Sequence, residues 1–146
     1  MFVDKCLNIR AMNPIMLRIE RLRKAGRYDD ILNVISSNRT FSRSSLGLTV
    51  KGRCLMLGSK CVRLSVIEKT FLKAISIDPN YVDAMIELAW FYQNVMDSPC
   101  RAKKWFKEAL RIVQQQAEEI DNGLKSVDGE LAAKTEKAEG RSLLIQ

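Results

Sequence analysis

Apolar residues in this chain recur at a distance of about 35 positions. Phe71 and Phe106 stand 35 apart, as do Ala74 and Ala109, and Ile31 and Ile67 stand 36 apart. Each belongs to a stripe whose members are three or four residues apart, the spacing of one face of an α-helix. A unit of this length holds one helix pair, and one pair cannot bury its own apolar face, so copies must stack. No segment shows the period-two alternation of a strand; the stretch from Thr40 to Val50 comes nearest to it. The expectation is an all-α chain, an α-solenoid of antiparallel helix hairpins.

Punctuation places the helices. Asn13-Pro14 supplies an N-cap and a proline for a first helical position, followed by Ile15, Ile19 and Leu22. Ala25-Gly26 stops that helix, and Tyr28, Ile31, Leu32 and Ile35 begin the next stripe almost at once, which predicts a hairpin. Asn38 to Ser45 is polar and serine-rich and reads as a loop, with Ser44 or Ser45 capping the helix that follows. Val50, Cys54, Leu57 and Gly58 mark the inner side of that helix; the pattern breaks over Ser59 to Arg63 and resumes as Leu64, Ile67, Phe71 and Ala74. Asp78-Pro79 and Ser98-Pro99 repeat the cap-plus-proline signal. They introduce Met85, Leu88, Ala89 and Tyr92 on one helix and Ala102, Phe106, Ala109 and Leu110 on the next. Repeats are therefore expected at 14–38, 45–78 and 79–112, within a single domain spanning 13–139, with residues 1–12 unassigned.

Beyond Leu110 the apolar positions continue as Val113, Ala117, Ile120, Leu124, Val127 and Leu131, at alternating spacings of four and three. That suits a long amphipathic helix or a coiled-coil seam. Asp121-Asn122-Gly123 is a turn signal in its midst, so a bend or break is expected there. The segment 113–137 is the natural cap for the last repeat, and 140–146 is expected to fray.

The third copy carries a recognisable pattern. Met85, Leu88, Ala89 and Tyr92, then Ala102, Phe106 and Ala109, resemble the two helices of a tetratricopeptide repeat. Ile67, Phe71 and Ala74, ending at Asp78-Pro79-Asn80, are similar to the second helix and junction of that family, and Gly26 to Ile31 resembles its inner turn. The resemblance spans Pro14 to Ile112. It weakens toward the N-terminus, where Lys51, Gly58, Arg18 and Asn38 replace residues usual for the family, and the third copy has one extra residue in its inner turn.

The resemblance implies a right-handed superhelix whose first helices line a concave groove, and a non-catalytic role as an adaptor or scaffold. Counting 100° per residue, Asp83, Ile86, Trp90, Gln93 and Asn94 point away from the stripe of their helix. On the preceding first helix the same face holds Thr49, Gly52, Arg53, Met56, Ser59 and Lys60. These predict the groove: Trp90 for contact area, Arg53 and Lys60 for an acidic or phosphorylated segment, and Gly52 as room for a close approach. The lysine-and-asparagine clamp by which some members hold a C-terminal carboxylate is absent, the matching positions being Met16, Glu20, Arg53, Asp83 and Glu87.

Composition narrows the function classes. The chain has no histidine, and its four cysteines form no C-x-x-C pair. No phosphate loop or nucleophile–base pair appears, so neither enzyme, metal nor cofactor is expected. The net charge of +7 is uneven: residues 113–146 hold four cations and seven anions, leaving +10 on the rest. A protein or peptide ligand, acidic for preference, fits that body. A small secretion-type chaperone is the first alternative. A basic nucleic-acid-binding array is the second, resting on clusters such as Arg101, Lys103, Lys104, Lys107 and Arg111. With Asp4 and Lys5 in place of an apolar leader and no long apolar run, a cytoplasmic location away from membranes is expected.

Overall fold

The computed structural model describes residues 13–143. Seven helices account for most of them, with no strand among the described residues. They are α1 (Pro14–Lys24), α2 (Tyr28–Ser37), α3 (Arg39–Ser42), α4 (Ser45–Leu57), α5 (Leu64–Ile77), α6 (Val82–Asn94) and α7 (Pro99–Leu143). The unassigned segment 1–12 and the end of the tail, 144–146, lie outside the described residues. The chain divides into two compact units, the first ending at Phe106 and the second starting at Lys107, within α7.

Local chemistry sets the helix ends. Asn13 Oδ1 accepts from Ile15 N at 3.0 Å, and Pro14 opens α1 as expected. Gly26 takes φ +68° in the α1–α2 turn, a conformation that suits a residue without Cβ. Ser44, not Ser45, caps α4, accepting from Gly47 N at 3.0 Å. Ser45 is buried instead, and its hydroxyl donates to the Ala74 carbonyl of α5 at 2.9 Å. Pro79 departs from the expectation: α6 starts three residues later, at Val82. Asp78 ends α5 and makes a turn, its Oδ1 accepting from Asn80 N at 3.0 Å and its carbonyl from Tyr81 N at 3.1 Å. A proline φ suits the second position of such a turn as well as a helix start.

The stretch read as a loop, Asn38 to Ser45, contains α3, capped by Asn38 Oδ1 accepting from Phe41 N at 2.9 Å. Phe41 is buried with Ile19, Ile31, Val34, Ile35 and Cys54 in one core cluster. A second cluster holds Ile67, Phe71, Leu88, Phe91, Tyr92 and Ala102, and Leu48, Ala74 and Ala84 form a third. Helix α4 packs against α2, α5 and α6, so it is enclosed on several sides. Gly47, Leu48, Thr49, Gly52 and Cys54 are all buried, while Leu57, expected on its inner side, is exposed.

In the second unit α7 runs unbroken through Asp121-Asn122-Gly123, where a bend was expected, and on to Leu143, into the stretch expected to fray. A helix that long needs no turn at Asn122-Gly123, because a glycine lowers helix stability without forbidding it. Val113, Ile120, Leu124, Val127 and Leu131, the stripe expected to cover the last repeat, are exposed. Leu110, expected to line α7's packed face, is also exposed.

Candidate functional site

Helix α6 sorts its residues as the periodicity predicts. Met85, Leu88, Ala89 and Tyr92 are buried, and Ala84 and Phe91 join them. Asp83, Gln93 and Asn94 are exposed, Ile86 is half-buried, and Trp90 is 48% exposed. The Trp90 indole is not loose. It meets Phe106 of α7 edge-on, with ring centroids 5.1 Å apart and planes at 80°. This geometry favours the aromatic quadrupoles and fixes the indole while about half of the residue stays exposed.

On α4 the predicted residues separate. The Arg53 guanidinium donates to Glu87 Oε1 on α6. These two residues are 34 apart, equivalent places in successive copies, so the ion pair ties one first helix to the next. The predicted free cation is therefore already engaged. Thr49 is only 3% exposed, and its hydroxyl donates to Ser45 O at 2.7 Å; enclosure of α4 takes it out of reach of a ligand. The room left by Gly52 is filled by the ring of Phe71, not left for a partner. Met56 is half-buried against the cluster of Phe71, Leu88 and Phe91. Lys60 is exposed but lies past the end of α4, in the connection to α5, so helical counting misplaced it.

What remains together is a face of α6 with Arg53 at its side. Glu87 belongs to it, although the outward count did not select it; its 34-residue spacing from Arg53 was the available signal. Tyr81, just before α6, is half-buried beside the same face. Burial, reinforced by Asp83, raises its phenol pKa, with Arg53 acting in opposition. Indole, aliphatic, amide and carboxylate groups side by side can grip a polypeptide: the ring supplies area, and Gln93 and Asn94 can donate to and accept from its backbone.

The opposite side of α6 is tied down. Tyr92 donates its hydroxyl hydrogen to Glu68 Oε1 at 2.5 Å, and Arg101 lies 5.5 Å over the Tyr92 ring and 3.6 Å from the same carboxylate. Burial and the neighbouring Glu68 push the Tyr92 phenol up to about 12. Arg101 and Arg111, two members of the predicted basic cluster, are thus occupied, Arg111 by Glu108 at 2.7 Å. A cleft of about 480 Å³ between α2, α4 and α5 was not foreseen; Leu32, Ile35, Leu48 and Leu55 form its apolar part, and Lys51 and Lys73 line it too. Its walls come from helices far apart in sequence, so no local pattern announces it.

A family model described as Tetratricopeptide repeat matches residues 70–104, from within α5 through α6 into the start of α7. No curated protein matches the chain.

Proposed function

We propose that this chain, a protein of the tetratricopeptide-repeat type, works as an adaptor that holds a peptide or protein segment against the outward face of α6 and the adjoining edge of α4. Repeats of this type serve in general as protein-interaction modules, and that supports a binding role over a catalytic one. The observation that carries the reading is Trp90, a large aromatic left half-exposed yet oriented by Phe106. A pre-oriented aromatic loses little entropy when it takes up a partner, and such residues dominate interface energies.

In this reading Trp90 and Ile86 form the apolar centre, and Asp83, Gln93 and Asn94 the polar rim. Arg53 and Glu87 act as a pair, which offers a ligand both a donor and an acceptor rather than a bare positive charge. The preferred ligand is then an extended segment with a hydrophobic anchor, and acidity becomes secondary. Among the described residues no helix is long and apolar enough to cross a membrane.

Selection from a random peptide display library on the full chain tests this. Selected peptides should share an apolar anchor, and Trp90→Ala should weaken them at least tenfold while leaving the helical circular dichroism unchanged. Peptides that bind wild type and Trp90→Ala equally would exclude this face.

A further inference from the structure

The apolar stripe of α7 within the second unit stands uncovered. Val113 is 46% exposed, Ile120 66%, Leu124 60%, Val127 54% and Leu131 56%. A monomeric protein rarely leaves so large and continuous an apolar band in water, and a helix with this pattern draws most of its stability from packing that stripe. A Cβ at Gly123 or Gly129 would meet nothing within 4 Å, and both glycines weaken the isolated helix further.

We infer that this stripe pairs with the same stripe of a second copy of the chain, as a coiled coil. Three features select that occupant. First, the period is that of a coiled coil rather than of a one-sided surface helix: Val113, Ala117, Ile120, Leu124, Val127 and Leu131 keep the alternating four-three spacing for nearly three heptads. Such a seam is complementary to itself. Second, the flanking charges permit self-pairing. In parallel register Gln116 faces Asp121 of the other copy, Gly123 faces Asp128 and Glu130 faces Thr135, so no like charges meet across the seam. Third, the area suffices. Roughly 100 Å² from each of the five large residues, over both copies, comes to about 1,000 Å² before flanking residues are added, close to the ~1,200 Å² at which specific interfaces begin.

The seam lies wholly in the second unit and Trp90 in the first, so pairing through the second unit would put two copies of the first unit on one assembly. Two linked sites raise the apparent affinity for a partner carrying two segments, without any new contact. The inference does not depend on what the Trp90 face binds.

Sedimentation equilibrium of the full chain over the micromolar range tests it. Leu124 and Leu131 alternate with β-branched residues in a combination that also admits more than two strands, so mass is the readout. Wild type should show at least twice the chain mass, and high salt should not dissociate it. Ile120→Asp and Leu124→Asp should each restore the single-chain mass, whereas Glu119→Lys, off the seam, should not. A wild type of single-chain mass, an assembly indifferent to both seam substitutions, or one that falls apart in high salt would each overturn the inference. The last outcome would point to the acidic helix lying on the basic unit of another copy.

Discussion

Phe71 packs its ring against α4 at Gly52: a Cβ there would fall 2.6 Å from Phe71 Cε1 and 2.7 Å from its Cζ. Phe71 is fully buried and has nowhere to withdraw. Gly52→Ala should therefore destabilise the chain by about 1–3 kcal/mol through overpacking. Gly47→Ala should cost more, because its Cβ would meet the Phe41 carbonyl oxygen, a backbone atom, at 1.8 Å. Urea unfolding followed by circular dichroism checks both.

The glycines of the second unit predict the opposite sign. Gly123 and Gly129 lie inside α7, and a Cβ added at either would meet nothing within 4 Å. Alanine at either should stabilise α7 by about 0.5–1 kcal/mol, since glycine loses more backbone freedom on forming a helix. The measurement is the thermal midpoint of helicity loss, which should rise for each substitution.

Arg53 and Glu87 should show coupling in a double-mutant cycle. The Arg53 side chain is 40% exposed and that of Glu87 18%. A pair so accessible is worth little more than an exposed one, about 0.5–1 kcal/mol. Arg53→Ala alone should cost more than Arg53→Ala added to Glu87→Ala, as read from denaturant midpoints; equal costs would mean that the two side chains act independently.

The cysteines should differ in reactivity. Cys54 is buried, whereas Cys61 and Cys100 are exposed. Burial pushes the Cys54 thiol up to about 11, against the opposing pull of Arg53. Native-state alkylation near neutral pH, mapped by peptide mass spectrometry, should label Cys61 and Cys100 and spare Cys54.

Tyr92 predicts an alkaline limit. Its folded pKa, about 12, lies above the ordinary value of 10.0, so the unfolded chain gives up this proton first. The resulting stabilisation is complete below pH 10 and is lost as the pH climbs toward 12. Tyr92→Phe should flatten that part of the stability–pH curve, leaving the Cys54 contribution, which fades from pH 9 to about 11 for the same reason. Thermal midpoints across the alkaline range provide the test.

Legibility varied with how many neighbours a helix has. The stripes of α1, α2, α5 and α6 could be read directly: Ile19, Ile31, Ile67, Phe71, Met85 and Leu88 are buried as their spacing requires. Each of these helices turns one side to the core. Helix α4 does not, because α2, α5 and α6 surround it, and there the count of faces failed for Thr49, Leu57 and Gly52 together. Phe41 was hidden for a related reason. Its polar neighbours make a poor stripe, and only the close approach of α3 to Gly47 brings it into the core.

Periodicity, caps and the 35-residue recurrence by themselves determined that this chain forms helices in antiparallel pairs, where most begin, and that Trp90 faces away from its own core stripe. Those are properties of a helix and its nearest neighbours in sequence. The tertiary structure alone decided that Arg53 is bound to Glu87, that Phe71 occupies the space at Gly52, that Phe106 orients Trp90, and that the Val113–Leu131 stripe is left bare. Each depends on which helices meet and at what distance, and such long-range contacts leave little trace in the order of residues along one helix.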